Sequence, residues 1–154
     1  MKAERPDPTQ HAAPSTQHSL AIIVTRGTFN NLVQVATLVR AAAGDGTRVR
    51  VLFRDAALLA MRTDRIGAVE FSPEFEGREA VTLELLRAAD FEDLQSFLRD
   101  AKEHGDDVRY YACTSSMYYC NTQVEELIPE IDASRPLATF LAEDVPTATT
   151  VLSF

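Results

Sequence analysis

Short, nearly continuous apolar runs alternate with helix-periodic segments along most of this chain, and that alternation restricts its fold more than any other feature. Ser19–Thr25, SLAIIVT, is apolar almost throughout, as expected of a strand covered on both faces. After the turn Arg26-Gly27-Thr28-Phe29-Asn30, the stretch Asn31–Ala43 spaces Leu32, Val35, Ala36 and Val39 at i, i+3, i+4, i+7, the stripe of a helix lying on a sheet. Gly44-Asp45-Gly46 ends it with residues suited to a left-handed cap. RVRVLFR, Arg48–Arg54, reads as a second strand, and Asp55–Arg62 as a short apolar helix with Asp55 at its positive end.

Residues 63–79 form an irregular acidic stretch, and Ala80–Ala89 is helical again. Phe91–His104 carries the clearest stripe, with Asp90 as the expected N-cap and Gly105 just past its end. VRYYA, Val108–Ala112, is a third strand. Thr122 and Glu125 have capping-box spacing at the start of a helix over 122–128, which Pro129 interrupts. Leu137–Leu141 and Thr149–Phe154 are two further apolar runs. Strand and helix in alternation imply right-handed crossovers and a parallel sheet with helices on both faces, in one domain over 18–154. Residues 1–17 have no apolar core, hold Pro6, Pro8 and Pro14, and read as a disordered tail.

Several function classes drop out on charge and residue type. A formal net charge of -8 argues against nucleic acid or an anionic membrane as the main partner. No run approaches the roughly 20 apolar residues of a membrane helix. The expectation is a cytoplasmic protein with reduced thiols. The turn after the first strand has neither a dinucleotide fingerprint nor a P-loop, although Thr28, Asn30 and Asn31 leave a flavodoxin-like phosphate contact open. His11 and His18 lie in or beside the tail and His104 at a helix end, so neither a zinc site nor a Ser-His-Asp triad can be assembled. No metal is expected.

Ligands and reactive groups in open parallel sheets gather at the carboxyl ends of the strands. Arg26, Arg54 and Cys113 all fall there. All four tyrosines and both cysteines lie within Tyr110–Cys120, YYACTSSMYYC. Cys113 closes the third strand, where free N–H groups of a following helical turn would lower its pKa and raise its thiolate fraction. Such a thiolate could accept sulfur as a persulfide or attack a disulfide. A buried free cysteine is also an ordinary small hydrophobe, and clustered tyrosines are ordinarily packing or interface residues. A helical 114–120 would separate the two cysteine Cα atoms by roughly 10 Å, beyond the about 4.4–6.8 Å of a disulfide.

LAIIVTRG, the helix ending in glycine before RVRVLF, VRYYACTSSM, VEELI, PLATFLAED and TVLSF together resemble the DsrE/DsrF-like family of small sulfur-relay proteins, over residues 19–154. That resemblance implies a three-layer α/β/α fold, flavodoxin-like, with a mostly parallel five-stranded sheet. It also implies a homo-oligomer, trimer or hexamer, in which Cys113 bears a persulfide passed on to a small sulfur-carrier protein. Thr114, Ser115, Ser116 and Met117 would supply N–H groups to the sulfur, and Arg26 and Arg54 positive charge. No cofactor is required, and Cys120 inherits no role. The longer acidic segment 63–90 departs from the family pattern. The carrier reading requires Cys113 to be reachable. The rival is a non-catalytic oligomeric binding module whose strand-end pocket holds a ligand or peptide, with Cys113 as packing. A redox role using both cysteines is the third reading.

Overall fold

A computed structural model describes residues 17–154, so the expected tail lies, but for its last residue, outside the described residues. Five strands form one all-parallel sheet: β1 Ser19–Val24, β2 Arg48–Phe53, β3 Val108–Cys113, β4 Ala133–Arg135 and β5 Thr150–Ser153. Their order across the sheet is β4-β3-β2-β1-β5. The helices are α1 Phe29–Gly44, α2 Asp55–Ala60, α3 Glu79–Ala88, α4 Leu94–His104, α5 Thr114–Tyr119 and α6 Leu137–Thr139. The last of these runs on into a single π turn, Phe140–Asp144.

Strand order explains why the two faces are covered unequally. From β1 to β4 the chain steps in one direction, so right-handed crossovers place the intervening helices on one face. The last connection must return past β1 to reach β5, and it lands on the other face. Side-chain alternation then divides the core. Leu20, Ile22, Val24, Val49, Val51, Phe53, Val108, Tyr110 and Ala112 face the main cluster with α1 and α4. Ala21, Leu52 and Cys113 face a small second cluster closed by Phe140. On the main side Tyr110 is buried and donates its hydroxyl to Leu98 O at 2.9 Å.

Sequence expectation and structure part company at four places. Of the two further apolar runs, only Thr149–Phe154 holds a strand; Leu137–Leu141 is helical, and the remaining strand is the short polar Ala133–Arg135. An edge strand with largely exposed side chains needs no apolar run, whereas the Leu137–Leu141 run buries Phe140. The last long helix is capped by Asp93, which accepts from Ser96 N at 2.8 Å, and not by Asp90. Phe91 lies before the helix and packs its ring against Phe29 and Phe97, which extends the apolar period backwards. The capping box is Gln123/Glu126 on one 3-10 turn, Val124–Glu126, not Thr122/Glu125 on a helix. Finally, α1 begins at Phe29, two residues before the expected Asn31, where Asn31 donates to Arg26 O and Asn30 exchanges hydrogen bonds with Ser72.

Candidate functional site

Parallel register assembles the site from three strand ends. Phe53 pairs with Ala112, so the next residues, Arg54 and Cys113, leave the sheet side by side. On the other flank Cys113 pairs directly with Arg135 of β4. The β1 end is tied in by backbone: Arg54 N–H donates to Val24 O at 2.8 Å and Ala57 N–H to Thr25 O at 3.1 Å. A Cβ on Gly27 would stand 2.3 Å from Ala56 O, so only glycine lets α2 approach the β1–α1 loop this closely.

Cys113 is the N-cap of α5, and its Sγ lies 3.3 Å from Ser115 Oγ. Burial pushes the thiol up. The Ser115 hydroxyl, the Ser116 amide, the Arg54 guanidinium and the Ser116 hydroxyl together outweigh it, and the thiol falls from an ordinary 9.0 to about 7. Arg54 Nε is itself buried and has no partner among the described residues. Cys120, on the far end of α5, is pushed up by burial and by the Asp55 carboxylate. Both cysteines are free. Since α5 is helical between them, the roughly 10 Å rise leaves no room for an intramolecular disulfide.

Ser116 is the fully buried joint between α5 and α2. Its hydroxyl donates to Asp55 Oδ1 at 3.1 Å, accepts from Asp55 N–H at 3.1 Å, and shares a 2.8 Å bond with the Tyr119 hydroxyl. Asp55 holds φ +52, a left-handed conformation that costs a non-glycine residue about 1–3 kcal/mol and that its surroundings must enforce. The two hydrogen bonds with Ser116 do so. Asp55 entered the sequence reading only as a helix-terminal charge.

The expected site residues are thus brought together only in part. Arg54, Ser115 and Ser116 act on Cys113. Arg26 is exposed and its charge acts on Glu74. The two line a separate cleft of about 640 Å³ with Thr28, Asn30 and Ser72, and Arg26 is not among the groups that act on the thiol. Thr114 is exposed, and Met117 packs into the main core. Accessibility is the main correction: Cys113 is 0% exposed, enclosed with Ala21, Leu52 and Phe140. Tyr118 and Tyr119 beside it stand out at 89% and 58%. Arg135 and Phe140 escaped the sequence reading, because only the pairing of β3 with β4 brings Arg135 beside Cys113 and only the return of the chain to β5 lays Phe140 over it. Among the described residues no group of three His, Cys, Asp or Glu could hold a metal, and no helix is long and apolar enough to cross a membrane.

A thiol shifted this way has a definite pH signature. In Cys120→Ser protein the thiolate ultraviolet absorbance should titrate at about 7, and Arg54→Gln should move that midpoint back toward 9.0. The folded value is depressed, so the thiolate adds stability fully above the ordinary 9.0 and loses it as pH falls through about 7. Wild type should therefore gain thermal stability over Cys113→Ser as pH rises across that window. A midpoint at the ordinary thiol value would remove the electrostatic reading of the pocket.

No family model matches this chain, and no curated protein sequence matches it. Solved structures do match. A protein of unknown function from Methanobacterium thermoautotrophicum, MTH1491, aligns with TM-score 0.56 at 12% identity over 88% of this chain and 99% of its own. BT1422 from Bacteroides thetaiotaomicron, a conserved protein of unknown function, aligns with TM-score 0.56 at 13% identity over 92% and 99%. The YchN protein from E. coli aligns with TM-score 0.50 at 17% identity over 90% and 100%. Likeness at such identities establishes fold, and the fold it establishes is the five-stranded α/β domain described above, shared along nearly the whole length of each of these proteins.

Proposed function

We propose that this chain is a sulfur carrier of the DsrE/DsrF type, holding a persulfide on Cys113 and passing its outer sulfur to a small carrier protein. The observation that carries the proposal is the depressed thiol at the end of β3, about half ionised near pH 7 and set between Arg54 and the start of α5. In the loading step the thiolate attacks a sulfane sulfur of a persulfide donor. The new S–S bond forms as the donor's S–S bond breaks and the donor leaves as its thiolate. Arg54 and Ser115 stabilise negative charge at the sulfur before and after the step. A trimeric or hexameric assembly belongs to the same proposal, as does a cytoplasmic site of action, where such thiols stay reduced. No cofactor enters the chemistry.

A second reading is favoured by one observation, the complete burial of Cys113 against Phe140 and Leu52. On that reading the fold is a non-catalytic oligomeric binding module with Cys113 as packing. Cyanide separates the two, because it takes the outer sulfur of a persulfide as thiocyanate and restores the thiolate. After treatment with a persulfide donor and desalting, the carrier releases close to one thiocyanate per chain, and Cys113→Ser releases none. Release equal in both proteins would support the binding module.

A further inference from the structure

Everything that reaches Cys113 must pass one of the two elements that enclose it, and they are tied down very differently. On the α5 side, Ser116 is locked to Asp55 and Tyr119, Thr122 N–H donates to Met117 O at 2.9 Å, and Met117 packs in the main core. The opposite side is the strap of residues 137–146, framed by Pro136 and Pro146, neither of which has an N–H to donate. Its backbone bonds are local, such as Phe140 N–H to Pro136 O at 3.0 Å. Among the described residues, apart from sequence-local bonds with Pro136, Thr147 and Ala148, its hydrogen bonds to the rest of the protein run through two carboxylates. Asp144 meets Arg135 Nε at 2.6 Å, and Glu143 meets Arg135 at 2.7 Å. Arg50 stands 4.0 Å from the other oxygen of Asp144. Phe140 is the strap's one fully buried apolar side chain, edge-on to Tyr111 at 6.4 Å between ring centres. The Arg135 guanidinium lies over that same Tyr111 ring at 5.0 Å.

We propose that residues 137–146 are the gate of Cys113, swung away from the second sheet face by withdrawal of Phe140, and that Arg135, gripping Asp144 and Glu143, is its latch. This inference concerns access to the site and rests on the sulfur-carrier reading only for its purpose. Three features single out this strap. It is held by few non-local bonds, which places its opening at the low end of local unfolding free energies. Its cover over the thiol is Phe140, flanked by the half-buried Leu137 and Val145, in a cluster separate from the main core, so it can lift without disturbing α1 or α4. It contains a π turn, an arrangement that is rare in regular helices and recurs at working sites. The latch is also adjacent to the cargo, since Arg135 is the register partner of Cys113. A partner that competes for Asp144 or Glu143 would open the gate at the place where sulfur is exchanged.

The test is the rate of Cys113 alkylation by iodoacetamide, followed by intact mass in a Cys120→Ser background. Arg135→Gln should raise the rate about tenfold or more by releasing the latch, and Phe140→Ala should do so by removing the cover. Tyr119→Phe, on the α5 side, should leave the rate near that of the parent. Cooperative thermal unfolding well above the assay temperature and an unchanged thiolate midpoint show that the accelerated variants are folded. Equal rates in parent, Arg135→Gln and Phe140→Ala would overturn the gate, as would acceleration confined to Tyr119→Phe. Sulfur loading reports separately on the carrier reading. Strap variants that alkylate faster yet take up no sulfur uphold the gate and sink the carrier. Normal sulfur uptake with no effect of the strap variants does the reverse.

Discussion

Gly27→Ala should destabilise the protein by about 3 kcal/mol, the upper end of ordinary overpacking, and lower Tm by about 6–12 °C for a domain of this length. The new Cβ would sit 2.3 Å from Ala56 O and 2.7 Å from the attached carbon. Both are backbone atoms, so no side chain can turn aside to make room. Relief requires the first turn of α2 to move, and that turn is fixed by Arg54 N–H on Val24 O and by Asp55 on Ser116. The same displacement carries Arg54 away from the sulfur, so the Cys113 titration midpoint should rise together with the fall in Tm. Gly67→Ala is the matched control, since nothing lies within 4 Å of the Cβ it would add. Calorimetry that finds the two variants equally stable would show that α2 does not rest on the β1–α1 loop as described.

That close approach could not have been read from the sequence, which gives Gly27 only as a turn residue. It exemplifies how the fold divides into legible and illegible parts. β1 declares itself because it is central and buried on two faces, and β2 because Val49, Val51 and Phe53 alternate onto the main core while Arg48 and Arg50 face away. α1 and α4 declare themselves because each lays one apolar stripe on the sheet. The edges do not. β4 is three largely exposed residues, and nothing in Ala-Ser-Arg distinguishes it from a turn. Leu137–Leu141 imitates a buried strand because a strap over a sheet must also bury apolar side chains, and a run this short has no resolvable period.

The site divides along the same line. Cys113, Ser115 and Ser116 lie within four residues, and the end of a strand running into a helix is enough to identify them. Arg54 follows from the assumption that successive strands are neighbours, which β2 and β3 satisfy. Arg26 was expected beside them by the same rule, but it is exposed after β1 and lines the separate cleft with Glu74. The enclosure of Cys113 depends on a chain segment some thirty residues away that returns over the opposite face, and only the sheet order reveals it. A thiol at the end of β3 was therefore legible in type and place, and its burial was not.

Whether Cys113 accepts sulfur is read from intact mass. Reduced protein, its Cys113→Ser variant and its Cys120→Ser variant are each incubated with a persulfide donor and weighed without reduction. The carrier reading predicts the mass of one added sulfur on wild type and on Cys120→Ser, with none on Cys113→Ser, because only the thiol at the end of β3 is held near neutrality while Cys120 is pushed the other way. Cys113→Ser protein that gains sulfur as readily as wild type, or folded wild type that gains none, would contradict it.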